Sequence, residues 1–317
     1  MPLKPDRAES APEPRDATIL RLAALDAMPG SIAVLDAQGV IVAVNRAWRE
    51  AMNVESASAA GVGRRYFDVF PVQEEVSETG GPSIQARLSG LLAGGPGFES
   101  VYACHIPDGP RWCRMSASPL EAPHRGAVVL HADVTTQVQS EVKLHQLANY
   151  DELTGVKRRR HFFERLEDAV RSARRYGHPL AVVIADVDDL KPINDAHGHA
   201  VGDRCLAVFA SILTGAVRAT DLVGRYGGDE FVMAFPHTRA ADVVVCLERV
   251  RENLSHRLAA LSLPPFTATF GVAELSPDHA DVAQFVGAAD RALYRGKTAG
   301  RDRIELAAAP TPAKSVP

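Results

Sequence analysis

The chain has 317 residues, of which 46% are hydrophobic and 23% charged, a composition typical of a globular protein long enough for two domains. The net charge of −4 argues against a nucleic-acid-binding protein, and no apolar run reaches the ~18 residues that a membrane helix requires. The four cysteines are widely separated, without the Cys-x-x-Cys pairs typical of zinc sites. We therefore expect a cytoplasmic protein that binds neither nucleic acid nor membrane.

The first region of the chain is predicted to contain strands and short helices. Residues 1–17 hold four prolines and charges of both signs, so we expect them to be disordered. Residues 18–137 begin with two apolar strands around a turn, at 32–44, and Asn45 is a suitable N-cap for the short helix that follows. Later strands are predicted at Phe98–His105, Arg111–Leu120 and Gly126–Val134.

A predicted helix connects the two regions. Residues 138–150 contain neither proline nor glycine, and Val138, Val142, and Leu144 or Leu147 give the segment an apolar side. The segment is shorter than the roughly three heptads that indicate a coiled coil. It can be a simple connector or a signalling helix that pairs with a second copy of the chain.

The second region, residues 151–306, alternates predicted helices and strands. Its first helix shows apolar residues at helical spacing and ends at Gly177. This alternation predicts an α/β or α+β fold in which helices cover a central sheet. The tail at residues 307–317 is rich in alanine and proline and is predicted to be disordered. The remaining elements are a strand over 179–184, a hairpin around 221–235, a helix over 240–257, a strand over 266–272 and a helix over 282–297.

Two acidic clusters lie at predicted strand ends. Gly227 and Gly228 are followed at once by Asp229 and Glu230, which indicates a tight hairpin with carboxylates at its tip. Asp186 directly follows an apolar strand, at the end where α/β folds bind ligands. Carboxylate oxygens suit Mg²⁺ or Mn²⁺. The alternative, that all three acids are solvated turn residues, accounts poorly for two such clusters.

The sequence contains no Gly-x-x-x-x-Gly-Lys-Ser/Thr loop, so a phosphate group would have to be bound by isolated cations. Lys191, Lys297 and Arg301 are the candidates. Lys297 also lies near the end of the last predicted helix, where it could simply compensate the helix dipole.

Residues 151–306 contain, in order, the motifs Asp151–Gly155, Asp186–Asp195, Gly198–Asp203, Arg225–Phe231 and Ala289–Tyr294. Through these five motifs the region resembles the GGDEF family, which makes cyclic di-GMP from GTP. The amino-terminal region resembles a PAS domain through its Asp36–Gly39 turn, Asn45 and the closing segment His131–Thr136. The expected fold is therefore α+β with two domains, a PAS-like antiparallel sheet and a cyclase or polymerase-palm-like sheet flanked by helices.

The resemblance implies a role for each matching residue. The 3′-hydroxyl of one GTP attacks the α-phosphate of another, pyrophosphate leaves, and two domains must meet in a homodimer. The implied catalytic residues are Asp229, Glu230 and Lys191. The implied ligands of Mg²⁺ or Mn²⁺ are Asp186, the Val187 carbonyl, Asp229 and Glu230. The implied GTP-binding residues are Asn194, His199, Asp203, Gly227, Gly228, Lys297 and Arg301.

A second site is also implied. Arg218 and Asp221 match the Arg-x-x-Asp inhibitory site at which many members of the family bind cyclic di-GMP, and Arg249 resembles an additional arginine used by some. The alternative is a surface ion pair that contributes little. A non-catalytic receptor for GTP or cyclic di-GMP is the rival to the enzyme, although such receptors usually have an eroded signature.

Three positions depart from the family pattern. Arg158 stands in place of an asparagine, Leu190 in place of a phenylalanine, and Asp302 in place of an asparagine. None of these positions is an implied metal or guanine ligand. The ligand of the PAS domain is not identified by the sequence: the Asn-Cys pair of flavin-binding members is missing, and His105, His124 and His131 are only nominal candidates for haem.

Overall fold

The structure is a computed structural model that describes residues 20, 23–70, 74–75, 82–106, 109–121 and 123–308, with backbone only at 74–75, 104–106 and 109–110. The segment 1–17 and the tail beyond residue 308, both expected to be disordered, lie outside the described residues. The chain divides into two compact units at residue 142, and each is described separately below.

The first unit is built on a six-stranded antiparallel sheet with the order β2-β1-β6-β5-β4-β3. Its strands are β1 (Ser31–Asp36), β2 (Ile41–Val44), β3 (Glu74–Glu75), β4 (Phe98–Ile106), β5 (Gly109–Pro119) and β6 (Gly126–Asp133). Its helices are α1 (Arg46–Ala51), α2 (Tyr66–Val69) and α3 (Ile84–Leu92). The strands predicted near 98, 111 and 126 are confirmed as β4, β5 and β6.

Asn45 fixes the start of α1, as the sequence predicts. Its Oδ1 accepts hydrogen bonds from the backbone N–H of Trp48 at 2.9 Å and from that of Ile32 at 2.9 Å. One buried amide therefore caps the helix and ties it to β1. The capped helix brings the Trp48 ring into the core, where it is almost fully buried.

The connecting helix α4 (Thr135–Asn149) has no buried residue. Three of its apolar side chains are exposed, with 52% of Val142, 65% of Leu144 and 39% of Leu147 accessible to solvent. The predicted helix is confirmed, and its apolar side is available for a partner. No helix among the described residues is long and apolar enough to span a membrane.

The second unit contains a mixed six-stranded sheet with the order β12-β11-β8-β10-β9-β7. The central strand β8 (Leu180–Val187) is buried along its whole length. The other strands are β7 (Lys157–Arg158), β9 (Leu222–Arg225), β10 (Glu230–Pro236), β11 (Ala268–Glu274) and β12 (Ile304–Leu306). The helices are α5 (Arg159–Tyr176), α6 (Leu190–His197), α7 (His199–Ala216), α8 (Ala240–Ala260) and α9 (Val282–Thr298). Gly177 ends α5 in the left-handed conformation at φ 70°, as predicted.

Helices cover both faces of this sheet, because side chains alternate along β8. Ala181, Val183 and Ala185 pack into a core formed with α7 and α8. Leu180, Val182 and Ile184 pack into a second core formed with α5 and α9. Asp186 continues the second series, so its carboxylate emerges on the α9 side of the sheet.

Candidate active site at the carboxyl end of the central strand

The hairpin β9–β10 places two carboxylates beside the end of β8. Glu230, the first residue of β10, lies directly opposite Asp186 in the antiparallel register, so the two side chains share a face of the sheet. The carbonyl oxygen of Asp229 accepts a hydrogen bond from the Val187 N–H at 3.2 Å. The four residues implied as metal ligands are therefore adjacent in the fold, although they come from two segments of the chain.

Lys297 reaches this group of acids from α9. Its Nζ lies 2.7 Å from Oδ2 of Asp186, whose side chain is only 8% exposed. Burial raises the pKa of Asp186 to about 6; Lys297 opposes this shift, and the negative charges of Asp229 and Glu230 reinforce it. The lysine is thus the counter-ion of a buried carboxylate, a role beyond compensation of the helix dipole.

The chemistry of these donors fits a divalent cation. Asp186 and Glu230 supply hard carboxylate oxygens, and the pKa of Asp186 is raised first by burial and then by the negative charges of Asp229 and Glu230, which a bound cation would offset. In the described part of the chain, however, no three acidic, histidine or cysteine side chains are arranged around a common metal position. Asp186 is instead paired with Lys297, whose Nζ lies 2.7 Å from its Oδ2.

Asp188 lies two residues beyond Asp186 and has a different role. Its carboxylate accepts hydrogen bonds from the hydroxyls of Thr267 and Thr269, both at 2.7 Å, and from the Asp302 N–H at 3.1 Å. The side chain is buried. All these contacts hold β8, β11 and the turn after α9 together, so Asp188 stabilises the fold of the site.

The guanine-binding candidates lie on α6 and α7. Asn194 is on α6, and its Oδ1 is buried without a hydrogen-bond partner among the described residues. Gly202 on α7 makes room for this amide, because a Cβ at that position would lie 1.9 Å from Oδ1. His199 and Asp203 are exposed near the start of α7. A buried acceptor with no partner is costly, and a donor from a bound ligand would remove that cost.

The other two phosphate-binding candidates are exposed at the same end of the unit. Lys191 is the second residue of α6, and the N-cap of this helix, Asp189, adopts a left-handed conformation with φ 56°. Arg301 follows α9, and its Nε lies 3.7 Å from Oδ1 of Asp189. The structure thus brings Arg301 to the start of the helix that carries Lys191.

Arg225 anchors the hairpin tip, a role that the sequence patterns did not predict. Its guanidinium donates to the Gly228 carbonyl through Nε at 3.1 Å and a terminal nitrogen at 2.7 Å. The other terminal nitrogen donates to Oδ1 of Asp151 at 2.9 Å. Burial raises the pKa of Asp151, but hydrogen bonds from Thr154 and Arg225 lower it overall, so this carboxylate stays ionised. Both residues occur in recognised motifs, but no local spacing rule pairs residues 74 positions apart.

The structure shows the contacts or burial of each of the three residues that depart from the family pattern. Asp302 is paired with Arg251 on α8, because two nitrogens of the Arg251 guanidinium lie 3.2 and 2.9 Å from Oδ1 of Asp302. The negative charge of Asp302 is therefore balanced by Arg251 rather than by the neighbouring Arg301. Leu190 is buried in the core. Arg158 donates from Nε to the Tyr150 carbonyl at 2.8 Å.

The inhibitory-site candidates meet at a surface beside Cys246. Asp221 Oδ2 accepts a hydrogen bond from the Arg218 N–H at 2.8 Å, and the Asp221 N–H donates to the Arg218 carbonyl at 3.0 Å. A turn, rather than a simple side-chain ion pair, joins these residues. Burial raises the pKa of the Cys246 thiol, and the charges of Arg249, Asp221 and Arg218 also act on it, so all three side chains lie in its neighbourhood. Both arginines are exposed.

Comparison with known protein families accounts for most of the described chain. Residues 148–303 match the family model of the diguanylate cyclase GGDEF domain, and residues 25–139 match that of the PAS fold. The chain therefore carries a GGDEF domain and, before it, a PAS domain.

Individual relatives agree with this assignment. The chain is 34% identical over 181 residues to the probable diguanylate cyclase DgcC of Escherichia coli K12, covering 57% of this chain and 49% of that protein. It is 32% identical over 234 residues to the diguanylate cyclase DgcP of Pseudomonas aeruginosa, and the match covers 71% of this chain and 33% of that protein. The chain thus spans half or less of the length of these relatives. A crystal structure of the coiled coil and GGDEF domain of DgcB from Caulobacter crescentus, in complex with c-di-GMP, has a TM-score of 0.52 and 29% identity, covering 55% of this chain and 93% of that one.

Proposed function

We propose that this chain is a diguanylate cyclase, which condenses two GTP molecules into cyclic di-GMP and releases two pyrophosphates. One observation carries the proposal: the buried Asp186 carboxylate lies directly opposite Glu230 and 2.7 Å from Lys297. Acids beside a cation at the open end of a buried strand suit phosphoryl-type transfer, in which negative charge must be stabilised. Because GTP is the substrate, we propose that the reaction takes place in the cytoplasm.

Each side chain has a role in this reaction. Asn194 and Asp203 bind the guanine edge, with Asp203 accepting from the base N–H groups. Asp229 takes the proton of the 3′-hydroxyl, whose oxygen then bonds to the α-phosphorus of the second GTP as pyrophosphate leaves. His199 completes the pocket, while Gly227 and Gly228 leave space for the nucleotide. The triphosphate is held by Lys191, Lys297 and Arg301.

Mg²⁺ or Mn²⁺ would be held by Asp186, the Val187 carbonyl, Asp229 and Glu230. When bound, the ion supplies positive charge at the phosphates and acidifies the attacking hydroxyl. Lys297, released from Asp186, is then free to bind phosphate. One unit holds one GTP, so two copies must meet as a homodimer whose two-fold symmetry matches that of the product.

We further propose that cyclic di-GMP inhibits its own synthesis at Arg218, Asp221 and Arg249. Exposed guanidinium groups bind guanine or phosphate oxygens through paired hydrogen bonds, and the Asp221 carboxylate accepts from the guanine N–H groups. The shared position of the three residues around Cys246 supports one site.

The test is to incubate the full chain with GTP and Mg²⁺ after bound product has been removed, and to follow nucleotides by chromatography. We expect cyclic di-GMP and pyrophosphate, and we expect Asp229→Ala to abolish both while circular dichroism shows an intact fold. A dimeric, product-free protein that binds cyclic di-GMP without turning over GTP would instead be a receptor.

A further inference from the structure

The PAS unit contains a cavity of about 290 Å³ with two chemically different ends. The inner end is formed by Trp48, Phe70, Tyr102 and His131, and all of these except Phe70 are buried. The outer end is formed by Arg111 and Asp133, whose side chains are 50% and 53% exposed. A ligand in this cavity would thus have its inner part among aromatic rings and its outer part between two charges.

The inner end is aromatic and uncharged. The Tyr66 hydroxyl lies 2.6 Å from Nε2 of His131, and the Tyr102 hydroxyl lies 2.6 Å from its Nδ1. Burial lowers the pKa of His131 to about 4, so the ring is neutral at physiological pH. Both ring nitrogens are engaged, which disfavours the role of haem ligand considered from the sequence. The π faces and edges of these rings favour a planar aromatic group.

The outer end offers one cation and one anion that are only loosely paired. Arg111 lies 3.8 Å from Asp133, too far for a hydrogen bond, and an exposed pair of this kind contributes little stability. Asp133 Oδ1 accepts a hydrogen bond from the Thr135 N–H at 2.9 Å. Hydrogen bonds from Thr135, with the charge of Arg111, lower the pKa of Asp133, so it stays ionised. Both charges are therefore available to a ligand with opposite charges of its own.

We propose that the PAS domain binds a small aromatic zwitterion of the α-amino acid class. Its ring lies among Trp48, Phe70, Tyr102 and His131, its carboxylate binds Arg111, and its ammonium group binds Asp133. The volume is at the lower end of the roughly 300–1,000 Å³ of small-molecule pockets, which suits a ligand with one ring system. An arginine can bind a carboxylate through two parallel hydrogen bonds.

Isothermal titration calorimetry on the full chain tests the class of ligand, with L-phenylalanine and L-tryptophan as probes. Three analogues each lack one feature: 3-phenylpropionate the ammonium group, phenethylamine the carboxylate, and L-leucine the ring. We expect at least one aromatic amino acid to bind, and all three analogues to bind at least about tenfold more weakly. Absence of binding by both amino acids at millimolar concentration, or equal binding by any analogue, would overturn the proposal.

The variant Arg111→Gln tests the position of the ligand. We expect a loss of affinity of roughly 10- to 100-fold, the effect of removing a hydrogen bond to a charged group. Arg114→Gln on the same strand is the matched control, because Arg114 does not line the cavity. The affinity of this variant for the amino acid should be unchanged. Near-UV circular dichroism checks that both variants fold. Unchanged affinity in Arg111→Gln would mean that the ligand binds elsewhere. Because the experiment measures binding, its outcome does not depend on cyclase activity.

Discussion

Asp186 and Asp188 are two residues apart but have different environments and therefore different roles. Asp186 is the last residue but one of β8, and Asp188 lies in the turn that follows the strand. Asp188 accepts three hydrogen bonds from the fold. Asp186 has one cation for a partner and two acids as neighbours. The Asp188 carboxylate therefore stabilises the fold. The Asp186 carboxylate, by contrast, is held in an unfavourable charged state that a bound cation would relieve.

The substitution Asp186→Asn should therefore stabilise the metal-free protein. The folded-state pKa of about 6 lies above the ordinary 3.8, so the stability present below pH 4 is lost as the pH rises through 6. The amide avoids this loss, and we expect a gain on the order of 2 kcal/mol at pH 7.5 and almost none at pH 4. Calorimetric unfolding in the presence of EDTA measures it. A gain of equal size at both pH values would contradict this explanation.

Asp188→Asn is the matched control at the same strand end. An amide has a single acceptor oxygen and directs its N–H₂ group at donors, so some of the three hydrogen bonds are lost. We expect a destabilisation of roughly 1–3 kcal/mol at pH 7.5. The two conservative changes should thus have opposite signs in the same calorimetric experiment.

Arg218→Ala should separate synthesis from feedback. Arg218 is exposed, lies near Cys246 and has no assigned role in binding metal or substrate, so the initial rate of product formation should be unchanged. Added cyclic di-GMP should then inhibit at least about tenfold less strongly, because one bidentate ligand is lost. Initial rates against added product measure both quantities. Arg239→Ala, an exposed arginine at the start of α8, is the control and should keep the parent inhibition curve.

At the level of elements, the packing of α6 against α7 determines the position of Asn194. Gly202→Ala would place a methyl group 1.9 Å from Asn194 Oδ1, so the amide must move. We expect KM for GTP to rise roughly tenfold, with a smaller change in kcat, because the displaced group binds the base and not the reacting atoms. Steady-state kinetics measure the two constants. An unchanged KM would remove Asn194 from base recognition.

Gly215→Ala on the same helix provides the control. A Cβ at position 215 meets no atom within 4 Å, so nothing has to move. Alanine is the better helix former by about 1 kcal/mol, and this variant should keep its KM and unfold at a slightly higher temperature.

Sequence patterns predicted the elements better than the contacts between them. The strand before Asp186, the hairpin carrying Glu230 and the helix ending at Lys297 follow from apolar periodicity, glycine positions and recognised motifs. The register that puts Glu230 opposite Asp186 does not, because it depends on how β10 pairs with β8 across more than 40 residues. The same holds for the Arg251–Asp302 pair, whose partners come from different elements. Long-range pairing of charged side chains has no local sequence signal.

At the scale of the whole molecule, α4 exposes the apolar side chains of Val142, Leu144 and Leu147 in the part of the chain that the structure describes. Its exposed apolar residues flank the junction between the two compact units. We propose that they pack against the same helix of a second copy, since the proposed reaction joins two GTP molecules, each held by one chain.

Replacing Val142 and Leu147 together by glutamate should weaken this pairing. Like charges on facing helices repel, so the concentration at which specific activity reaches half its maximum should rise at least about tenfold. Activity at several protein concentrations, with sedimentation velocity, measures the shift. Lys143→Glu alters the charge of the same helix at an exposed polar position and should have little effect. A dimer of unchanged affinity would place the contact elsewhere.

The contact of Arg225 with Asp151 and Gly228 bears on where the GGDEF domain can be separated from the PAS domain. A shortened chain that begins after Asp151 would keep every residue assigned to metal, base and phosphate, yet the guanidinium that supports the hairpin would lose its carboxylate. A different amino-terminal module, natural or engineered, must therefore be joined to the GGDEF domain before residue 151. The boundary of the transferable unit is set by one side chain, not by the end of a helix.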